Sequence, residues 1–268
     1  MPAEREISAA GPAAAGPVEW WRYAYRVPLL AVHLLVFTPL ALVCQLPGLR
    51  RIPAGSMPLG ARAHKLWARW ALRAFGVGLR VRGELPAGPF LLVANHISWL
   101  DVLVLHAVWP VRLVAKAEIR HWPVFGWLAM VGGTIFIARG ADGSRRRAGR
   151  RMCAMLRRGE RVGVFPEGGI VGARGVGRFH ARLFGPALRA PAPVVPVAIR
   201  YERNGDLHEE KVFSKGQKFL ANGLRLLGHP PCQAQVMIAP ALPPESGNRR
   251  ELAERARAIV HEFYERTS

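Results

Sequence analysis

Apolar residues follow two different spacings along the chain, and the change falls near residue 78. Before it, "VPLLAVHLLVFTPLALVCQLP" (27–47) is almost wholly apolar and carries no formal charge. About 20 such residues span the hydrocarbon core of a bilayer. "ARAHKLWARWALRAF" (61–75) then mixes Leu66, Trp67, Trp70, Leu72 and Phe75 with basic residues. That composition suits a helix lying in a headgroup layer, or an amphipathic helix packed on a domain. After residue 78, "PFLLVAN", "RLVA", "GTIFIA", "RVGVF", "PVVPVAI" and "AQVMIA" read as buried strands. Segments 97–108, 143–158, 178–190 and 247–265 have helical spacing. The alternation predicts one α/β domain, its mixed, mostly parallel sheet flanked by helices. In such sheets ligands gather at the carboxyl ends of strands. Residues 1–17, rich in Ala, Pro and Gly without periodicity, read as a disordered lead. The expected organisation is that lead, a membrane-anchoring and amphipathic helical segment over 18–77, and the α/β domain over 78–268.

His33 and Pro39 interrupt the apolar run, which weakens a simple spanning helix and leaves a spanning or a kinked, re-entrant membrane segment open. A buried core helix is the alternative. A cleavable leader fits poorly: the first small-x-small triplet beyond the run, Ala54-Gly55-Ser56, lies past two arginines. A lipoprotein signal fails at Cys44, because Ala41 and Val43 precede it where leucine and a small residue are needed. Three cysteines, Cys44, Cys153 and Cys232, lie far apart and indicate neither a zinc knuckle nor a disulfide framework.

Charge adds a partner class. There are 38 Lys and Arg against 18 Asp and Glu, a formal net charge of +20, and 33 of the 38 are Arg. Such an excess predicts an anionic partner: nucleic acid, anionic lipid headgroups, or a phosphorylated or acidic substrate. From Gly48 to Gly83 there are Arg50, Arg51, Arg62, Lys65, Arg69, Arg73, Arg80 and Arg82 and no acid, whereas Glu4, Glu6 and Glu19 offset the basic residues before the apolar run. The positive flank places the main domain on the cytoplasmic side of the cytoplasmic membrane. Nucleic acid is not expected, since no zinc finger, RNA-recognition signature or basic zipper is present. The basic residues are densest in "GSRRRAGRRMCAMLRRGER" (143–161), with Ala148, Met152, Met155 and Leu156 on the apolar side of the helix. Membrane docking, donor binding and solvated charge all fit that segment.

"VANHISWLD" (93–101) carries the candidate chemistry. Ser98-Trp99-Leu100-Asp101 fits a helix N-terminal capping pattern, in which Asp101 satisfies backbone donors and His96 is incidental. The same residues can also act as a pair. A strand ending at Ala94 delivers Asn95 and His96 to the sheet edge, and a turn at Ser98 lets Asp101 reach one imidazole nitrogen. It would fix the tautomer and favour the imidazolium, leaving the other nitrogen to take a proton. The chain has no G-x-S-x-G elbow, so the hydroxyl to be activated would belong to a substrate.

Three further stretches accompany it: "GGTIFIARG" (132–140), "VFPEGG" (164–169) and "VVPVAI" (194–199). Together the four resemble the ordered blocks of the glycerophospholipid acyltransferases, the lysophospholipid and 1-acylglycerol-3-phosphate acyltransferases. N-H-x4-D matches Asn95, His96 and Asp101. The apolar strand closing on arginine matches Gly133 to Arg139. F-P-E-G matches Phe165, Pro166, Glu167 and Gly168, and V-P-V-x-I matches Val195 to Ile199. Gly169 and Ile170 stand where the family has Thr and Arg, an arginine that helps hold the acceptor's phosphate. Arg174 and Arg178, in the glycine-rich loop 168–178, offer substitutes. "RFHARLF" after it looks like the block of lysophospholipid and lyso-ornithine-lipid acyltransferase branches, with His180 a further polar contact or a structural residue.

The resemblance implies that 78–268 is an acyltransferase domain and the protein a membrane-associated O-acyltransferase. His96 would be the general base on a lysolipid hydroxyl, assisted by Asp101, with backbone N–H groups near Glu167–Gly169 holding the oxyanion. Arg139 would bind the anionic headgroup, and Phe165 to Gly168 would shape the acceptor site. It implies no cofactor and no metal, with acyl-CoA or acyl-acyl-carrier-protein as co-substrate. The expected partners are membrane lipids, the lysolipid acceptor and acyl carrier protein. A non-catalytic basic protein binding lipid or nucleic acid is the alternative.

Overall fold

The computed structural model describes residues 18–121, 125–138, 142–171, 175–207, 219–244 and 248–266. The lead at 1–17, Arg139 and Arg174 lie outside the described residues. In chain order the elements are α1 (Trp21–Val32), α2 (Thr38–Val43), the short pair β1 (Pro53–Ala54) and β2 (Met57–Pro58), α3 (Leu59–Ala74), β3 (Val77–Arg82), β4 (Leu91–Ala94), α4 (Leu100–Val108), β5 (Arg112–Lys116), α5 (Phe125–Val131), β6 (Ile135–Ile137), α6 (Asp142–Arg157), β7 (Val162–Val164), α7 (Gly185–Arg189), β8 (Val194–Arg203), β9 (Asp206–Leu207), α8 (Phe219–Gly228), β10 (Cys232–Ile238) and α9 (Arg249–Glu265).

The main sheet has the order β3-β10-β8-β4-β7-β5-β6, with β9 beside β8. β8, β4, β7, β5 and β6 run parallel, while β10 is antiparallel to β8 and parallel to β3. The sheet is mixed and mostly parallel, as the sequence pattern predicts. At its centre β4 is buried at every position, pairing Leu92 with Gly163 on one side and Val195 on the other. A strand covered on both faces must be apolar throughout, which explains the unbroken "FLLVA".

The step from β4 through α4 to β5 and the step from β6 through α6 to β7 cross the sheet in opposite directions. Right-handed crossovers therefore put α4 and α6 on opposite faces. α3 packs on α4 and meets α1 on that first face; α6 packs on α7, and the 181–183 turn before α7 meets α9.

The N-terminal apolar helix is continuous from Trp21 to Val43, with a mean hydropathy of 1.9 in its most apolar window. His33–Phe37 form a π-helical turn within it. Pro39 is the cause: it has no N–H for the carbonyl four residues back, and its ring crowds that carbonyl. The ladder widens there by one residue. Thr38 closes the gap, its backbone N–H and its hydroxyl both donating to the His33 carbonyl, the hydroxyl at 3.0 Å. Only 17% of the window is buried, and Leu29, Val32, Leu35, Val36, Leu40 and Val43 are exposed. This overturns the core-helix alternative, because a core helix hides its apolar side.

The fully buried positions are polar instead, with Leu30, Phe37 and Ala41 half-buried beside them. Arg26, His33 and Thr38 face the domain. Arg26 Nη1 donates to the carbonyls of Leu227 (2.9 Å) and His229 (2.7 Å) at the C-terminal end of α8, where free carbonyls and the helix dipole favour a cation. Thr38 Oγ1 accepts from Trp67 Nε1 at 2.9 Å. α3 is thus clasped between α4 and the apolar helix. Its Trp67 and Leu72, with Phe75 just beyond it, are buried, as the packed-helix reading requires, while Leu66 and Trp70 remain exposed.

Two predicted helices differ. The 97–108 helix starts only at Leu100, since Asn95–Trp99 form the turn that builds the site. The 178–190 segment is not one helix but a 3₁₀ turn at Ala181–Leu183 followed by α7. Pro186 has no N–H for the Arg182 carbonyl and so serves as a helix start.

Candidate active site

β4 ends at Ala94, and the next seven residues bring two side chains together at the carboxyl edge of the parallel strands. His96 Nδ1 lies 2.9 Å from Asp101 Oδ2. The same oxygen accepts from the backbone N–H groups of Ile97 (2.7 Å) and Ser98 (2.8 Å). The Ser98 contact is the return half of a capping box, and Leu100 N–H donates to Ser98 Oγ at 3.3 Å. The capping and paired readings of "VANHISWLD" are therefore one arrangement: Asp101 closes the turn and holds the imidazole with the same carboxylate. Its other oxygen accepts from Tyr201 Oη at 2.7 Å. Asp101 and Tyr201 are fully buried, and burial pushes the Tyr201 hydroxyl well above its ordinary range, the Asp101 charge adding to the effect. With Nδ1 committed, Nε2 is the ring nitrogen left for a substrate.

Asn95 ties this turn to β8. Its amide donates to the Ile199 carbonyl at 2.9 Å and accepts from the Ile199 N–H at 2.7 Å, continuing the ladder with a side chain where the β4 backbone turns away. Period-two alternation along β8 then carries Tyr201 to the same face as Ile199. The V-P-V-x-I block thus supports the motif from below. Tyr201 lies two residues past it and was not singled out from the sequence, although the alternation, extended by one step, points to it.

The F-P-E-G loop follows β7 and packs against His96. The Phe165 ring stacks on the imidazole, centroids 3.9 Å apart and planes 15° apart. The Pro166 carbonyl accepts from His180 N–H at 2.8 Å. Gly168 has φ +74°, and a Cβ there would meet the His180 ring at 3.3 Å, so this turn favours glycine. Glu167 links two segments: Oε2 accepts from His96 N–H and Oε1 from Gly177 N–H, both at 2.7 Å. Arg257 of α9 fixes the same loop through the carbonyls of Gly177 (2.9 Å) and Val176 (3.2 Å), a long-range contact with no local sequence signal.

Burial raises the Glu167 carboxyl from its ordinary 4.5 to about 7, and the Asp101 charge acts in the same direction; the two N–H donors and Arg257 oppose it. A carboxyl that holds its proton more tightly folded than unfolded contributes stability below pH 4.5 and loses it as pH rises to about 7. Relative to Glu167→Gln, the melting temperature of the wild type is expected to fall across that window. Parallel melting curves for the two proteins would show that Glu167 does not titrate there.

The structure brings His96, Asp101, Phe165, Pro166, Glu167 and Gly168 together. Arg178 is exposed just beyond Gly177. The Gly168 N–H donates to the Phe165 carbonyl at 3.1 Å, so it is engaged in the turn rather than turned toward an oxyanion. Lys116, the last residue of β5, lies near the place left by the absent Thr-Arg: a Cβ on Gly169 would sit 4.0 Å from its Nζ. Among the described residues, no group of three His, Cys, Asp or Glu is placed to hold a metal ion.

The arrangement at the strand ends is a histidine–carboxylate pair with one ring nitrogen uncommitted, a chemistry able to exchange a proton with a bound hydroxyl. Comparison with known proteins gives the chemistry its name. Residues 78–200 match the family described as Acyltransferase. A lyso-ornithine lipid O-acyltransferase of Pseudomonas aeruginosa is 36% identical over 239 residues, 89% of this chain and 90% of the relative. A 1-acyl-sn-glycerol-3-phosphate acyltransferase of Neisseria gonorrhoeae is 37% identical over 175 residues, 62% of this chain and 69% of the relative. The crystal structure of the 1-acyl-sn-glycerophosphate (LPA) acyltransferase PlsC from Thermotoga maritima matches with a TM-score of 0.70 at 19% identity, over 91% of this chain and 94% of that one, and shares the fold. The chain belongs to the acyltransferase family and is an enzyme of that class.

Proposed function

We propose that the enzyme moves an acyl chain from an acyl thioester to the free hydroxyl of a lysolipid at a membrane. The His96–Asp101 contact carries the reading. His96 Nε2 takes the hydroxyl proton as the oxygen attacks the thioester carbonyl, and the Asp101 charge favours the imidazolium that forms. The tetrahedral intermediate collapses with loss of the thiolate, and His96 returns the proton to sulfur. Phe165 stacks on the imidazole, and Glu167 holds the His96 backbone N–H. Arg139 and Lys116 bind the acceptor headgroup, with Arg174 and Arg178 as further candidates in the sequence that follows the missing Thr-Arg. That departure, together with the lyso-ornithine lipid relative, favours lyso-ornithine lipid over lysophosphatidic acid as acceptor.

The exposed apolar side of the Trp21–Val43 helix supports membrane association. Because its other side lies against α3 and α8, we infer that it rests in the cytoplasmic leaflet of the cytoplasmic membrane rather than crossing as a free span. The decisive experiment is lipid profiling of a host with and without the gene, paired with assays of the purified enzyme on both lysolipids. Accumulation of lyso-ornithine lipid without the gene, and its acylation in vitro, is the expected result. An unchanged profile with no acylation of either lysolipid would remove the proposal.

A further inference from the structure

α6 has one surface that the acyl-transfer site does not use. From residue 143 to 159 the sequence has no acid. Ala148, Met152 and Leu156 are buried against the sheet, which fixes the rotation of the helix, and Arg146, Arg147, Arg150, Arg151, Arg157 and Arg158 are exposed. At roughly 100° per residue, those six fall within an arc of about 140°. Arg146 and Arg150, and Arg147 and Arg151, stand four residues apart, a like-charge spacing that is unfavourable on an isolated helix. Arg157 Nη2 donates to the Arg189 carbonyl at 2.8 Å, and the exposed Arg182 and Arg189 extend the same basic surface over the neighbouring segment.

Its place in the fold favours a soluble partner. α6 lies on the face of the sheet opposite α4, α3 and the apolar helix, so a bilayer that takes up the exposed side of that helix is not the natural occupant. The helix is also long, 16 residues or about 24 Å, a ridge suited to an extended acidic surface rather than to one phosphate cluster. It starts at the catalytic edge, where Ser144 Oγ accepts from the Ala138 N–H at 2.9 Å just past β6. A partner lying along α6 has one end beside the carboxyl ends of the strands.

Resting on the acyl-transfer reading above, we propose that this arginine face docks the acidic carrier protein that presents the acyl group as a thioester. Complementary charge of this kind acts chiefly on encounter rate and weakens with salt.

The test uses the full-length enzyme in mixed micelles and the triple variant Arg147→Gln, Arg150→Gln, Arg151→Gln. KM is measured separately for an acyl-acyl-carrier-protein and for the matching acyl-CoA with one lysolipid. The variant is expected to raise KM for the carrier-protein donor by about tenfold or more and to flatten its salt dependence. KM for acyl-CoA and the melting temperature should not change. Equal losses with both donors, or a loss only of sedimentation with vesicles containing anionic lipid, would overturn the proposal. If the wild type acylates neither lysolipid from either donor, the acyl-transfer reading fails instead. Titration of the carrier protein onto immobilised wild type and variant then decides the docking separately, and equal affinities count against it.

Discussion

His96→Ala is expected to reduce turnover by about 10²–10⁴-fold, the range that general-base assistance supplies, with the fold retained. The expectation of retained fold has a structural basis. The imidazole is partly exposed at the sheet edge, and Asp101 keeps the N–H groups of Ile97 and Ser98 and the Tyr201 hydroxyl when the ring is gone. The ring stack on Phe165 is lost, a contact of about 1 kcal/mol. Turnover with a lysolipid the wild type acylates, read beside thermal melting, checks both halves. A variant that melts normally and retains most of its turnover would take His96 out of the chemistry.

Asp101→Asn separates charge from geometry. An asparagine oxygen can still accept from Ile97 and Ser98, and its amide can donate to Tyr201, whose hydroxyl is able to accept. Stability should therefore change little, within about 1 kcal/mol. What asparagine lacks is the charge that favours an imidazolium, and its amide can also impose the wrong tautomer. A fall in kcat of about 10³–10⁴-fold is expected. Near-wild-type kcat would leave Asp101 as the closure of a turn and nothing more.

Much of this was legible in the sequence because it is local. β4, β5, β6, β7, β8 and β10 are short runs whose apolar character follows from burial on both faces. α6 and α9 carry a strong helical period. The His96–Asp101 contact is set by a five-residue turn whose ends are fixed by β4 and α4. The contacts that were not legible are distant in the chain. Tyr201 reaches Asp101 across 100 residues, and Arg257 reaches Gly177 across 80. α8 and β3 are legible only when amphipathic spacing is read in place of unbroken apolar runs: α8 is apolar at Phe219, Leu220, Leu224, Leu226 and Leu227, and β3 alternates Val77, Leu79 and Val81 with Gly78, Arg80 and Arg82. The 178–190 helix was over-read because its spacing is helical while Pro186 breaks the hydrogen-bond ladder that spacing needs. The capping and paired readings of Asp101 were set against each other because each assigns the side chain one role, whereas a carboxylate has enough lone pairs for both.

Arg26 changes what kind of attachment the apolar helix is. A domain on a flexible tether turns about its linker and meets the lipid surface at any angle. Here a buried guanidinium ties the helix to the last turn of α8, and α8 touches the His96–Asp101 turn through the hydrogen bond from Trp99 to Asn222. The helix and the His96–Asp101 turn are therefore linked through α8 by hydrogen bonds at both ends. On the proposed membrane-bound reading, whatever depth and tilt the helix adopts is passed to His96 through these contacts, and the height of the imidazole above the acyl chains becomes a property of the fold rather than of chance encounter.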